Sequence, residues 1–169
     1  MEKACLEKAC VTACKENWEE KSGRCFLWGG KKKRSWDEAE EFCQREGGHL
    51  ASVTSEAIHE YIIDEKNRKG VGYLWLGGSD KEEEGVWKWS DGSPWEFNRW
   101  NPGEPKNGSE EQCLTIVGHN VDKWNDYNCK DDNNNFVCSQ TLCSGKDGIS
   151  VRVDHSFTPF RFRTTRMQQ

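Results

Sequence analysis

Between Glu104 and Asp126 the chain carries Glu104, Asn107, Glu110, Glu111, Asn125 and Asp126, all on loop-like sequence between strand-like pieces. Carboxylate and amide oxygens gathered without His or thiolate are the donor set of a hard cation, calcium above all. The plain alternative is that Asp, Asn and Glu are common in turns, and on composition alone that alternative wins. Paired carboxylates also serve glycosidases, which need an acid of raised pKa facing a second carboxylate. Here they read better as ion ligands, and none of the four His is placed as a base. The other reactive set is nine cysteines, at positions 5, 10, 14, 25, 43, 113, 129, 138 and 143. Zinc would need close C-x-x-C pairs, which the chain lacks. Disulfides in an oxidising compartment account for the count directly. Asn107-Gly108-Ser109 is in addition a glycosylation sequon.

The elements that must position these groups follow from periodicity and punctuation. Residues 35–46 read as a helix: Ser35 and Glu38 make a capping box, Trp36, Ala39, Phe42 and Cys43 share one face, and Gly47-Gly48 ends it. A second helix is predicted from Ser55 to about Glu65, with Ala57, Ile58, Tyr61 and Ile62 turned inward. After Gly70 the pattern changes to the short strand-like pieces YLWLGG and GVWKWSDG, and strand signals return at CLTIV (113–117), Lys123–Trp124 and NFVC (135–138). Helices first and sheet later make an α+β fold. From Ser90 to Gln112 no regular element is predicted, yet Trp95 and Trp100 lie within that stretch. A loop of that length with two embedded indoles reads as ordered and functional.

Nine pieces of the chain fall in one order: CKENWEEKSGRC (14–25), the helix ending in Cys43, HLASV (49–53), YLWLGGSD (73–80), GVWKWSDG (85–92), WNPGEP (100–105), EEQC (110–113), WNDYNC (124–129) and NNFVC (134–138). In that order and spacing, residues 14–139 resemble the C-type lectin domain family. The resemblance implies two helices, small antiparallel sheets and a long ligand-binding loop, stapled by Cys14–Cys25, Cys43–Cys138 and Cys113–Cys129. It implies a principal calcium site at Glu104, Lys106, Glu111, Asn125 and Asp126, with Pro105 in the cis form, where the vicinal hydroxyls of a sugar complete the ion's shell. Lys106 departs from the family's neutral amide or acid, because an ammonium can neither ligate a cation nor accept from a hydroxyl. The neighbouring Asn107 is the residue that could take over the ligand role. An auxiliary calcium site in some members maps to Asp80, Glu84, Asn107, Glu111 and Gln112.

Composition bounds the remaining choices. At 169 residues the chain suits one well-packed domain, here 14–139, with a cysteine-containing extension at 1–13 and a basic tail of unreadable role at 140–169. A net charge of −5 argues against nucleic acid, and the one basic run, Lys31 to Arg34, reads as a solvated turn. No apolar run approaches the roughly 20 residues needed to cross a bilayer. Secretion is inferred from the cysteines alone. The expected function is an extracellular, calcium-dependent carbohydrate-binding module whose partners are glycans or glycoproteins. The alternative is a calcium-independent protein-binding domain on the same fold, and an enzyme is not expected. Cys5, Cys10 and Cys143 remain to be placed, either in a pair between the termini, such as Cys143 with Cys5 or Cys10, or in links between two chains.

Overall fold

The computed structural model describes residues 10–106 and 108–144. Strands β1 (Glu19–Lys21) and β2 (Arg24–Trp28) form a hairpin, helix α1 (Trp36–Arg45) follows, and β3 (His49–Leu50) leads into helix α2 (Glu56–Arg68). Then come β4 (Tyr73–Ser79), β5 (Lys88–Trp89), β6 (Cys113–Val117), β7 (Asn125–Tyr127) and β8 (Asn135–Thr141). The strands form one sheet in the order β1-β2-β8-β4-β6-β7, with β3 beside β8 and β5 beside β4. All pairs are antiparallel except β4 with β8. β8, the last strand among the described residues, therefore lies in the middle of the sheet, next to the first hairpin.

Both helices start where local chemistry places them. The Ser35 side chain accepts from the Glu38 backbone N–H while the Glu38 carboxylate accepts from the Ser35 N–H, so two orphan donors are satisfied at once. Ser55 caps α2 in the same way through the Ile58 N–H. That helix runs three residues beyond the predicted end at Glu65, because no Gly or Pro interrupts it before Gly70. Its inward face is Ile58, His59, Ile62 and Lys66, whereas Ala57, predicted to point inward, is exposed. Period 3.6 from Ile58 and Ile62 selects position 66 and not position 57.

Strand β4 divides the core by alternation. Leu74 and Leu76 join Ile58 and Ile62 of α2 with Leu114, Ile116 and Trp124. Trp75 points the other way, to Trp36, Ala39 and Cys43 of α1, with Leu50 and Phe136. Each fully buried Leu or Ile removes enough apolar surface from water to favour folding by about 1.5–3 kcal/mol. Gly77 lets this strand lie close to β3: a Cβ there would sit 2.5 Å from the Leu50 carbonyl oxygen.

Four disulfides close the fold. Cys14 is bonded to Cys25, Cys43 to Cys138 and Cys113 to Cys129, the pairing the resemblance implies, and Cys10 is bonded to Cys143. Of the pairings left open for the terminal cysteines, the fold takes Cys10 with Cys143. Val11 forms a bridge with Leu142 beside that bond, and β8 continues to Thr141, so backbone pairing runs past residue 139. Cys5 lies outside the described residues. The strand expected at Lys123–Trp124 starts two residues later, at Asn125. Trp124 instead pairs singly with Trp100.

Candidate functional site

The long segment between β5 and β6 contains no strand among its described residues, and aromatic packing holds it in place. Trp95 stacks on Trp89 with ring centroids 4.4 Å apart, and Trp100 meets Trp87 edge to face at 4.7 Å. Trp124, fully buried, touches Trp89, Trp95, Trp100 and Phe97. Backbone bonds complete the seam: the Trp124 N–H donates to the Arg99 carbonyl at 2.8 Å and the Asn101 N–H to the Trp124 carbonyl at 2.9 Å. Asn101-Pro102-Gly103-Glu104 is then a tight turn closed by the Glu104 N–H on the Asn101 carbonyl at 2.9 Å. Its third position needs positive φ, and Gly103 has φ +85°. The Glu104-Pro105 bond is cis. Glu104 is thereby placed beside Asn125 and Asp126 of β7.

Three of the candidate ligands converge there. The Lys106 backbone N–H donates to Asp126 Oδ2 at 2.8 Å, and Asn101 Nδ2 donates to Asn125 Oδ1 at 2.6 Å. The Glu104 side chain is 8% exposed, and its Oε2 is buried without a hydrogen-bond partner among the described residues. Burial and the facing Asp126 carboxyl both push the Glu104 carboxyl above its ordinary range, and the Lys106 ammonium only partly offsets them. Lys106 Nζ lies 3.2 Å from Glu104 Oε1 and 4.0 Å from Glu111 Oε2, with the side chain 62% exposed. Glu104 in turn holds that ammonium's pKa above the usual lysine value. Lys106 thus covers the acidic pair from the solvent side. Asn107 lies outside the described residues.

The auxiliary set also gathers. Asp80, 1% exposed, accepts from the Gly85 N–H at 2.9 Å, its own N–H donates to the Gln112 carbonyl at 3.3 Å, and Gln112 Nε2 donates to Glu84 Oε2 at 3.3 Å. Among the described residues no three carboxylates, histidines or cysteines stand close enough together to hold one ion. Glu104 and Asp126, with the Asn125 amide oxygen, still fit a hard cation in donor type: two facing carboxylates, one with an orphaned buried oxygen. Glu111 reaches this group only through the Lys106 ammonium. Asn101, which orients Asn125, was not singled out in the sequence; the Asn-Pro-Gly turn signal before Glu104 marks its position.

A two-helix, disulfide-stapled fold with a Trp-anchored loop that carries Glu-Pro beside a strand carrying Asn-Asp defines a lectin-like binding domain. The profile described as Lectin C-type domain matches residues 32–140, and the chain belongs to the C-type lectin domain family. It is 38% identical over 116 residues to "C-type lectin domain family 17, member A" of Homo sapiens, covering 69% of this chain and 29% of that protein. It is 37% identical over 119 residues to "Ladderlectin" of Oncorhynchus mykiss, covering 69% of this chain and 62% of that protein. The matched region thus spans less than two thirds of either relative. Among solved structures, a calcium-independent type II antifreeze protein is 29% identical with a TM-score of 0.70, covering 78% of this chain and 96% of that one. The cow C-type carbohydrate-recognition domain of CD23, in the presence of GlcNAc2Man3 oligosaccharide, is 27% identical with a TM-score of 0.70, covering 79% and 100%. The family is one of lectins and receptors, not of enzymes.

Proposed function

We propose that this domain binds glycans outside the cell, with calcium held by Glu104, Glu111, Asn125 and Asp126. The observation that carries the reading is the convergence of the Glu104 and Asp126 carboxyls, one of them with a buried unpartnered oxygen and a raised pKa. Two acids facing one another at that depth are stabilised when a cation joins them. The ion, when bound, supplies the centre on which a sugar's vicinal hydroxyls complete their coordination. Of the chain's own groups, Asn101 holds the Asn125 side chain, the Lys106 N–H holds Asp126, and the packed indoles hold the turn that carries Glu104. Four disulfides support an extracellular site of action.

Lys106 sets the strength of the site. Its ammonium occupies the position of a competing cation, but on an exposed side chain. Exposed ion pairs contribute little, so the ammonium can be displaced at small cost. Calcium then binds in the weak range of extracellular modules, with Kd on the order of 10⁻⁴–10⁻³ M. Lys106→Asn removes the repulsion and adds an amide oxygen, and we expect calcium to bind about tenfold tighter. Isothermal titration of calcium into both proteins, followed by glycan arrays in calcium and in chelator, is the test. If neither protein responds to calcium and ligand binding is the same in chelator, the second reading holds: a calcium-independent binder in which Lys106 bridges Glu104 and Glu111 permanently. That reading is favoured by the two ion pairs themselves.

A further inference from the structure

The basic run Lys31–Arg34 is the solvated turn its sequence suggests, exposed at Lys31, Lys32 and Lys33, and it is unneutralised. The Gly29 N–H donates to the Phe136 carbonyl at 2.9 Å, and Asn135 Nδ2 donates to the Gly30 carbonyl at 3.2 Å. Lys33 Nζ donates to Asn133 Oδ1 at 2.9 Å, and the Arg34 guanidinium lies over the Phe42 and Phe136 rings at 5.0 and 5.9 Å. Lys33 and Arg34 are thereby attached to residues 133–136 and to Phe42, while the bonds of Gly29 and Gly30 hold the chain just before the run. Yet among the described residues no carboxylate lies within ion-pair distance of Lys31, Lys32, Lys33 or Arg34. The nearest acidic influence is Glu38, whose carboxylate is engaged by its capping bonds to Ser35. In a chain with 29 acidic and 24 basic residues, four consecutive bases without an ion-paired acid among the described residues form a positive surface.

Beside the run is a cleft of about 340 Å³, walled by Trp28, Gly30, Lys31, Lys69, Asn135 and Phe136. Lys69 sits 5.4 Å from the centroid of the Trp28 ring and is held there by Glu19 at 3.2 Å and Glu65 at 3.5 Å. One wall thus carries the Lys69 ammonium, paired with Glu19 and Glu65, another the ammonium of Lys31, and the half-buried Trp28 indole gives apolar surface between them. The volume is at the lower end of the range for small-molecule sites, about 300–1,000 Å³, and suits a ring with substituents better than a bare oxyanion. Its concavity also differs from the flat basic surface a membrane would need. We propose that this cleft binds an anionic saccharide, sulfated or carboxylated, with Lys31 on the acidic groups, the exposed Lys32 at the rim adding positive charge, and Trp28 against the ring. The site uses none of the calcium ligands, so it works in chelator and stands apart from the function proposed above.

The test is equilibrium binding of a heparin-derived tetrasaccharide in EDTA at about 50 and 150 mM salt, where screening separates ionic from neutral contacts. We expect binding that weakens with salt, falls about tenfold or more in the charge-reversed double variant Lys31→Glu, Lys32→Glu, and is unchanged in Lys106→Asn. Both lysines are exposed, so the double variant keeps its fold, which circular dichroism checks. Unchanged affinity in the double variant, equal binding of an uncharged tetrasaccharide, or binding of inorganic phosphate or phosphatidylserine vesicles without the saccharide would each overturn the proposal.

Discussion

At the scale of single residues, two buried groups are held in ionisation states that cost the fold something. Burial and Asp126 make the charged form of Glu104 unfavourable. A carboxyl with a raised folded pKa favours the fold at low pH, and that contribution is lost as pH rises through the folded value. Glu104→Gln therefore raises the melting temperature at neutral pH in chelator and abolishes any further rise on adding calcium; calorimetry with and without the ion checks both halves. His59 works in the opposite direction. It is 3% exposed, packs against Phe97 and Trp124, and has no well-aligned hydrogen-bond partner on either ring nitrogen. Burial pushes its pKa below the ordinary value of about 6.5. The Asp122 backbone and carboxylate and Glu60 oppose this, Lys123 adds to it, and Glu56 and Asp64 line the same cleft. A lowered histidine costs stability as pH falls from about 6.5 to the folded value. His59→Leu should gain on the parent in melting temperature between pH 7.5 and 5.5, and a gap that does not change with pH would remove His59 from the account. The comparison is made between variants because His49, raised by its bond to Glu40, gives stability that is lost as pH rises.

At the scale of elements, the loop between β5 and β6 and the cap of α1 make different demands. The loop keeps its course because Trp100 pairs with Trp124 and inserts among the indoles. Trp100→Ala removes that contact. We expect a loss of about 2–3 kcal/mol, below the 3–5 typical of a fully buried aromatic because Trp100 is only half-buried. Calcium and glycan affinity should fall with it, since Asn101 and Glu104 lose their anchor. Ser35→Ala breaks the capping box and costs about 1 kcal/mol, but α1 carries none of the candidate ligands, so affinity should hold. Urea unfolding paired with titration separates the cases; equal affinity losses in both variants would mean that global stability, not the loop, controls binding.

At the scale of the whole molecule, the bridges divide the work of closing the chain. Cys43–Cys138 spans 95 residues and joins α1 to the central strand β8. Replacing both cysteines by serine should cost about 3–5 kcal/mol through unfolded-chain entropy. Cys10–Cys143 spans 133 residues, yet its removal should cost less, because Cys14–Cys25 and Cys43–Cys138 already shorten the path between its ends. Denaturant midpoints of the two double variants rank them, and the reverse order would refute this account. Eight of nine cysteines stand in these four bridges, leaving one, Cys5. Thiol labelling under denaturing, non-reducing conditions should find at most one reactive group per chain, and two or more would contradict the pattern.

The fold class was readable from sequence because its signals are local: the Ser35–Glu38 box, the period of Ile58 and Ile62, the alternation through Trp75, and the order of the motifs. The types of the candidate ligands were readable for the same reason. Strands β1 to β3 were not predicted; β2 and β3 exist because β8 offers them backbone partners, and β1 because β2 does. Two strand residues at His49 and Leu50 have no stability without that neighbour. The partner of Cys143 and the course of Lys106 were likewise undecidable, since each depends on which groups the chain brings within a few ångströms across more than a hundred residues or across a solvent-facing gap. Sequence alone determined which oxygens could meet a cation. Only the packing of Trp124 against Trp100, and with it the turn that sets Glu104 against Asp126, decided that they face one another.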